Sequence, residues 1–414
     1  MNRAELGMAL RPLPYLNAKA GSAEGMVELR PGPPPRMLVW HPEAVEKIFR
    51  SDRRLSHPGS RSLTPLFGAG SLLWADGERH AAYRRVLGPA LRGRALAGYR
   101  EIIAAQARAA IDRLRPGTVV PLAAWTRVLA LRIIGRIVLG NPEPGMLAEF
   151  GGWLRGAFGS PWRGLAYRLL GVGLPRPGPE LDRALVRAAR AGHADGQDTL
   201  ASLLLAGDGP VGEIDDGELR DQVVSLLFAG HETTATAMTW TLLWLDRRQR
   251  LRDEVLAELA ATEDDGSDAG RMPLLQAVIQ EALRLTPSAA IGENRRLTEE
   301  TGLCGRRFPA GTTCTLSIYL AHRRPESFAD PELFDPNRFL GGRTPPRHYF
   351  PFGGGTRRCP GSQLAELEIR MVVAALLRRR QWRCVDPGAA RPLIRGNLLL
   401  PHPSPRIRIT GRRA

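Results

Sequence analysis

The chain has 414 residues, 43% of them hydrophobic, which is enough for one large globular domain with a sizeable core. Its formal net charge is +16, from 58 basic against 42 acidic residues, and only Lys19 and Lys47 are lysines. With no lysine-rich tail and no basic repeat interleaved with aromatics, the arginine excess does not describe a nucleic-acid surface and equally fits a GC-rich genome.

The first twenty residues, MNRAELGMALRPLPYLNAKA, have their apolar run broken by Arg11, Pro12 and Pro14. They build neither a signal peptide nor a spanning helix, so a cytoplasmic protein with no membrane association is expected. Residues 25–41, with GMVELRPG and RMLVWH, predict a hairpin around a proline-rich turn; helices are predicted at about 42–50, 78–93, 97–114 and 123–139. Proline and glycine at 171–179, and again in AGDGPVGEIDDGE, mark connections between helices. Gly207, Gly209 and Gly212 spell GxGxxG, but a helical run precedes them and Pro210 interrupts the turn, so no dinucleotide site is expected there. No internal repeat or composition break divides the chain, which predicts a single domain over 1–414.

From Asp216 a helix of roughly 30 residues, about 45 Å long, is predicted, with Asp215 or Asp216 as its cap. It is apolar almost all round, yet His231, Glu232, Thr233 and Thr234 sit at its middle, which favours a buried central helix over a membrane span. Two readings of that middle stay open. In one, the threonines bond back to carbonyls one turn earlier, Glu232 finds an arginine and Gly230 serves packing. In the other, Gly230 lets a ligand approach, and Thr233, reaching the Ala229 carbonyl, opens a groove for a diatomic molecule and a water.

QEALRLTP places Glu281 and Arg284 three residues apart in an apolar-striped helix ended by proline. The same spacing recurs at Glu180/Arg183 and Glu293/Arg296, so spacing alone decides nothing. With Arg338 of FDPNRF, a buried Glu281 between two arginines would clamp irregular backbone. PFGGGTRRCPGSQLAELEIRMV, residues 351–372, then sets Cys359 among glycines and arginines directly before a helix. A structural cysteine hides in a core; this one suits a large, flat, anionic partner lying against it. The four cysteines, Cys304, Cys314, Cys359 and Cys384, form no CxxC pair, which disfavours a zinc knuckle or a disulfide framework.

Taken in order, AGHETT (229–234), EALR, FDPNRF and FGGGTRRCPG (352–361) resemble the landmarks of the cytochrome P-450 monooxygenases, and the likeness extends from DGERHAAYRR at 76–85 to the C-terminal tail. The resemblance implies a mainly α fold with a small β portion, triangular, with the long central helix over the haem. It implies heme b with Cys359 as axial thiolate and iron ligand, a ligand that pushes electron density toward the opposite position and favours O–O cleavage. A helix starting at Pro360 would aim its N-terminal N–H groups at the sulfur. Phe352 and Gly353, Gly354, Gly355 and Gly361 would let the backbone approach the ring, and Ala229 and Gly230 would face it from the central helix. Arg357, His80, Arg84 and Arg295 are the implied propionate partners, although His80 could be an ordinary helix residue and Arg296 could replace Arg295. Without CxxCH the haem is not attached as in c-type cytochromes.

Glu232 and Thr233 match the acid–alcohol pair of the family, so the implied reaction inserts one oxygen atom of O2 into a lipophilic small molecule. Hydroxylation or epoxidation in terpenoid or polyketide tailoring is expected, in a monomer. Electrons would come from NAD(P)H through a separate ferredoxin and ferredoxin reductase, the acidic ferredoxin docking near Arg357 and Arg358. The alternatives are a haem-thiolate enzyme that uses peroxide or catalyses coupling or isomerisation, and a non-catalytic haem sensor. The substrate pocket is expected to be framed by 58–76, 150–180, the middle of the long helix, 287–293 and 396–400.

Overall fold

The computed structural model describes residues 3–58, 63–158, 177–341, 348–386, 390–402 and 404–413. The expected hairpin is present: Met26–Arg30 pairs antiparallel with Arg36–Val39, Met26 opposite Val39. Thr313–Ser317 joins it in parallel and Ile291–Arg296 closes a four-stranded sheet. Leu38, Val39 and Trp40 bury their side chains and root this β layer in a core of its own, separate from the large helical core.

Helices lie at Pro42–Arg50, Gly77–Ala90 and Leu122–Leu139, close to expectation. The one expected at 97–114 opens as a 3-10 turn, Gly93–Tyr99, and becomes α-helical only over Arg100–Asp112; Gly93 holds φ +60°, which separates it from the preceding helix. The N-terminal segment, despite its prolines, forms two short helices, Arg3–Leu10 and Pro12–Asn17. Pro12 opens the second, where its missing N–H costs nothing. The GxGxxG run follows the helix Leu200–Leu205 rather than a strand. The connection at 171–179 falls mostly outside the described residues.

The central helix runs 31 residues, Asp216–Asp246, and Asp215 is its cap, its carboxylate accepting the Glu218 N–H at 2.7 Å. It packs against Leu122–Leu139, against Pro273–Leu285 and against Ser362–Arg379, the helix after the cysteine loop. Its buried threonines are satisfied within this packing: Thr239 donates to Ala235 O at 2.8 Å, and its hydroxyl meets that of Thr126 on the neighbouring helix at 2.8 Å. Trp240 Nε1 donates to Leu399 O at 3.0 Å, and Ser288 Oγ donates to the carbonyl of Thr233 at 2.7 Å. With Leu399 N bonded to Ser288 O at 3.0 Å, the segments 287–293 and 396–400 meet against the middle of the central helix. Among the described residues no helix is long and apolar enough to cross a membrane.

Candidate active site

The cysteine loop is shaped by its glycines, for two different reasons. Gly353 (φ +68°) and Gly361 have no neighbouring atom within 4 Å of where a Cβ would stand, so they leave open space. Gly354 and Gly355 are small because the protein fills their places: a Cβ would lie 2.5 Å from the Phe49 ring and 2.5 Å from Asp52 Oδ2. The reading that all four glycines serve close approach by a ring is corrected accordingly. The loop closes through Cys359 N to Phe352 O at 2.9 Å and Gly353 N to Phe350 O at 2.9 Å. The helix begins at Ser362, not Pro360, with Gly361 as its cap residue.

Cys359 is the exposed cysteine; Cys314 is buried, its thiol pushed up to about 12 by desolvation, and Cys304 Sγ meets His41 Nδ1 at 3.2 Å. Protein crowds the Cys359 sulfur densely enough that desolvation raises its pKa, while the Gly361 N–H, Arg84 and Arg358 draw it back down. An exposed cysteine whose thiol is nonetheless desolvated suits a planar ligand lying against it.

His80 and Arg84 stand one turn apart on Gly77–Ala90. Arg84 Nη1 donates to Arg358 O at 2.6 Å, which ties that helix to the cysteine loop. Burial pushes His80 down to about 4, with help from the positive charges of Arg357 and Arg84, so it is neutral near pH 7. Arg357 is buried; its Nη2 donates to Ala75 O and lies 3.3 Å from Asp76 Oδ1. Its Nε is buried with no partner among the described residues. A buried charged donor without an acceptor is costly, and a carboxylate arriving at this point would satisfy it.

Arg295 and not Arg296 is the inner arginine: Arg295 is buried, whereas Arg296 is exposed and pairs by its backbone with Ser56. Arg295 Nε bonds Asp52 Oδ1 at 2.6 Å, Nη1 reaches Glu293 O at 3.0 Å and Nη2 reaches Gly354 O at 3.4 Å. Asp52, which sequence reasoning missed, accepts from four groups: Arg295, His57 Nε2 at 3.1 Å, and the N–H and hydroxyl of Thr356 at 2.7 and 2.5 Å. It fastens the 3-10 turn Gly355–Arg357 from below.

At the middle of the central helix both sequence readings are partly realised. Thr233 Oγ1 donates to Ala229 O at 2.8 Å, and Ala229 is exposed in a helix otherwise largely buried, so one face opens there. Glu232 has found its arginine, Arg127, at 2.8 Å, with His231 Nε2 3.6 Å away. Gly230 serves packing: a Cβ would stand 2.5 Å from Cγ1 of Ile134 on the neighbouring helix. The opening belongs to Ala229 and Thr233.

The expected clamp is complete. Arg284 grips Glu281 with two arms and holds the carbonyls of His322, Pro331 and Leu333 at 2.8, 2.7 and 3.0 Å; Glu281 also accepts the Asp335 N–H at 2.8 Å and faces Arg338 at 3.4 Å. His322, unnoticed in the sequence, carries the clamp onward. Its Nδ1 meets Arg284 O at 3.2 Å and its Nε2 accepts the Phe350 N–H at 3.0 Å; burial holds the ring neutral, its pKa down to about 3.

These residues fit a haem: an exposed cysteine whose sulfur feels Arg84 and Arg358, the buried Nε of Arg357 without a partner among the described residues, and an open face on the central helix. A sequence profile described as Cytochrome P450 matches residues 182–409. The chain is 32% identical over 425 residues to a Mycobacterium tuberculosis protein bearing the name cytochrome P450 135A1, covering 97% of this chain and 91% of that one. It is 32% identical over 399 residues to the cyclooctat-9-en-7-ol 5-monooxygenase of Streptomyces melanosporofaciens, covering 91% and 86%. Among solved structures, the retinoic acid-bound cyanobacterial CYP120A1 superposes with a TM-score of 0.78 at 25% identity, covering 92% of this chain and 90% of that one.

Proposed function

Because the chain belongs to the cytochrome P450 family of haem monooxygenases, whose members bind haem through an axial cysteine thiolate, we propose that Cys359 is that ligand and that Arg357, Arg84, His80 and Arg295 hold the haem carboxylates. The observation that carries the reading is Cys359 itself, the exposed cysteine, with Arg84 and Arg358 acting on its thiol. Bound there, haem supplies the activation of dioxygen from which one oxygen atom enters the substrate.

The chain's own residues bind, orient and move protons. Gly361 N–H, Arg84 and Arg358 stabilise the thiolate form of Cys359. Thr233 Oγ1, at the open face of the central helix, would hold a water there by accepting from it, placing a proton source beside bound dioxygen. Glu232, tethered by Arg127, brings protons from solvent. Neutral His80 contributes as a hydrogen-bond donor, while the guanidinium groups supply the charge.

The substrate is a lipophile framed by 58 and 63–76, 150–158, 177–180, the middle of the central helix, 287–293 and 396–400; residues 59–62 and 159–176, also expected at the pocket, lie outside the described residues. The similarity to an enzyme named for cyclooctat-9-en-7-ol supports natural-product tailoring and makes terpenoids the first class to screen. Electrons come from NAD(P)H through a separate ferredoxin and reductase. Arg357 is buried, so the docking patch for an acidic ferredoxin is assigned to exposed Arg358 and Arg92. NADPH oxidation with added ferredoxin and reductase under labelled dioxygen, across a terpenoid and polyketide library, tests the reading: a product carrying one labelled oxygen supports it. Turnover with peroxide alone, and none with NADPH, would favour the peroxide-driven alternative.

A further inference from the structure

Five ionisable side chains stand in one line beneath the cysteine loop. Arg295 Nε bonds Asp52 Oδ1 at 2.6 Å, the same oxygen lies 3.1 Å from His57 Nε2, His57 Nδ1 lies 3.2 Å from Asp76 Oδ1, and that oxygen lies 3.3 Å from Arg357 Nη2. Basic and acidic groups alternate along the line. All but Asp76 are buried, and Asp76 grips residue 57 twice, since its Oδ2 also accepts the His57 N–H at 3.2 Å.

The middle of the line constrains its chemistry. Carboxylate oxygens only accept, so the two ring bonds of His57 exist together only when both nitrogens carry hydrogen and the ring is an imidazolium. A neutral residue in its place would leave the carboxylates of Asp52 and Asp76 with nothing between them. Each would then draw its own arginine inward, away from any other anion. Asp52 also fastens Thr356, so the line is anchored in the turn three residues before Cys359.

We propose that His57 is a positioning residue: shared as an imidazolium between Asp52 and Asp76, it fixes Arg295 and Arg357 in one geometry and thereby sets how tightly the chain holds the carboxylates of its haem. This rests on the assignment of Cys359 and the two arginines to haem binding. No family motif in the sequence points to His57; it stands in RLSHPGS, a stretch with no periodic pattern.

The test is haem transfer from the holoenzyme to excess apomyoglobin, for wild type, His57→Gln, Asp76→Asn and the double variant, with melting temperature followed in parallel. Asparagine keeps the helix cap that Asp76 supplies to Gly77, so the Asp76→Asn variant remains foldable and decides the matter even where His57→Gln does not fold. Haem release should be about tenfold faster in either single variant, the cost of one charge-assisted hydrogen bond. The double variant should be no faster than the faster single, because both break one line. Wild-type release rates accompanied by a lowered melting temperature would overturn the proposal and leave His57 as a loop staple, as would rates that multiply in the double variant. A wild-type protein that shows no thiolate-type carbon monoxide band would instead bring down the haem assignment, and the relay with it.

Discussion

Arg284 and Glu281 meet through two parallel hydrogen bonds of 2.7 and 2.8 Å with both side chains fully buried, and between them they hold the backbone of residues 322, 331, 333 and 335. Neither charge has access to water, so each depends on the other and on those carbonyls and amides. Glu281→Ala or Arg284→Ala should cost about 3–5 kcal/mol and give little folded, haem-loaded protein. The clamp reaches the cysteine loop through His322 and Phe350, so the small folded fraction should also show a diminished thiolate signature. Normal haem loading and an unchanged melting temperature in either variant would show that the pair is dispensable.

Asp52 should make stability depend on acid. Burial pushes its carboxyl up, but His57, Arg295 and Thr356 outweigh burial and hold it well below the usual carboxylate range. A folded-state pKa below the unfolded one contributes stability above the unfolded value, lost as pH falls toward the folded value. The gap in melting temperature between wild type and Asp52→Asn should therefore be widest near pH 7 and narrow below about pH 4, the ordinary aspartate range. A gap that does not change with pH would mean that the carboxylate charge is immaterial.

Gly230 distinguishes packing from ligand approach. Gly230→Ala drives a methyl into Ile134 and should cost about 1–3 kcal/mol, whereas the pair Gly230→Ala/Ile134→Ala should recover most of it. Thermal denaturation measures both. A stable single variant with altered carbon monoxide affinity would return Gly230 to the ligand side of the helix.

Thr233→Ala should keep the fold, the haem and substrate binding while uncoupling turnover. The hydroxyl donates only to Ala229 O in its own helix, so its loss leaves the helix intact and removes the oxygen that would anchor a proton-delivering water at the open face. Product formed per NADPH should fall by about tenfold or more, with hydrogen peroxide in its place. Equal ratios in wild type and variant would leave Thr233 a back-bonded helix residue and nothing else.

Much of this was readable from local pattern. The helices at Pro42–Arg50 and Leu122–Leu139 declare themselves by apolar periodicity, and the polar middle of an apolar 31-residue helix marks itself by contrast. Asp52 and His57 do not. Asp52 opens a three-residue 3-10 turn, His57 follows it, and they acquire their roles from Arg295 and Thr356, 243 and 304 residues away from Asp52, a pairing that only tertiary topology sets. The same holds for Glu232 and Arg127, 105 residues apart, where the sequence asks for an arginine and offers dozens. The N-terminal helices escaped because Pro12 reads as a breaker, although at the first position of a helix it is a starter.

The central claim is that Cys359 is the haem thiolate, and the carbon monoxide difference spectrum of the reduced protein tests it directly. Wild type should show the strongly red-shifted Soret band of a thiolate ligand; Cys359→Ala should lose it, while Cys304→Ala, Cys314→Ala and Cys384→Ala keep it. A red-shifted band that survives in Cys359→Ala, or is lost instead with one of the other three, would contradict the assignment.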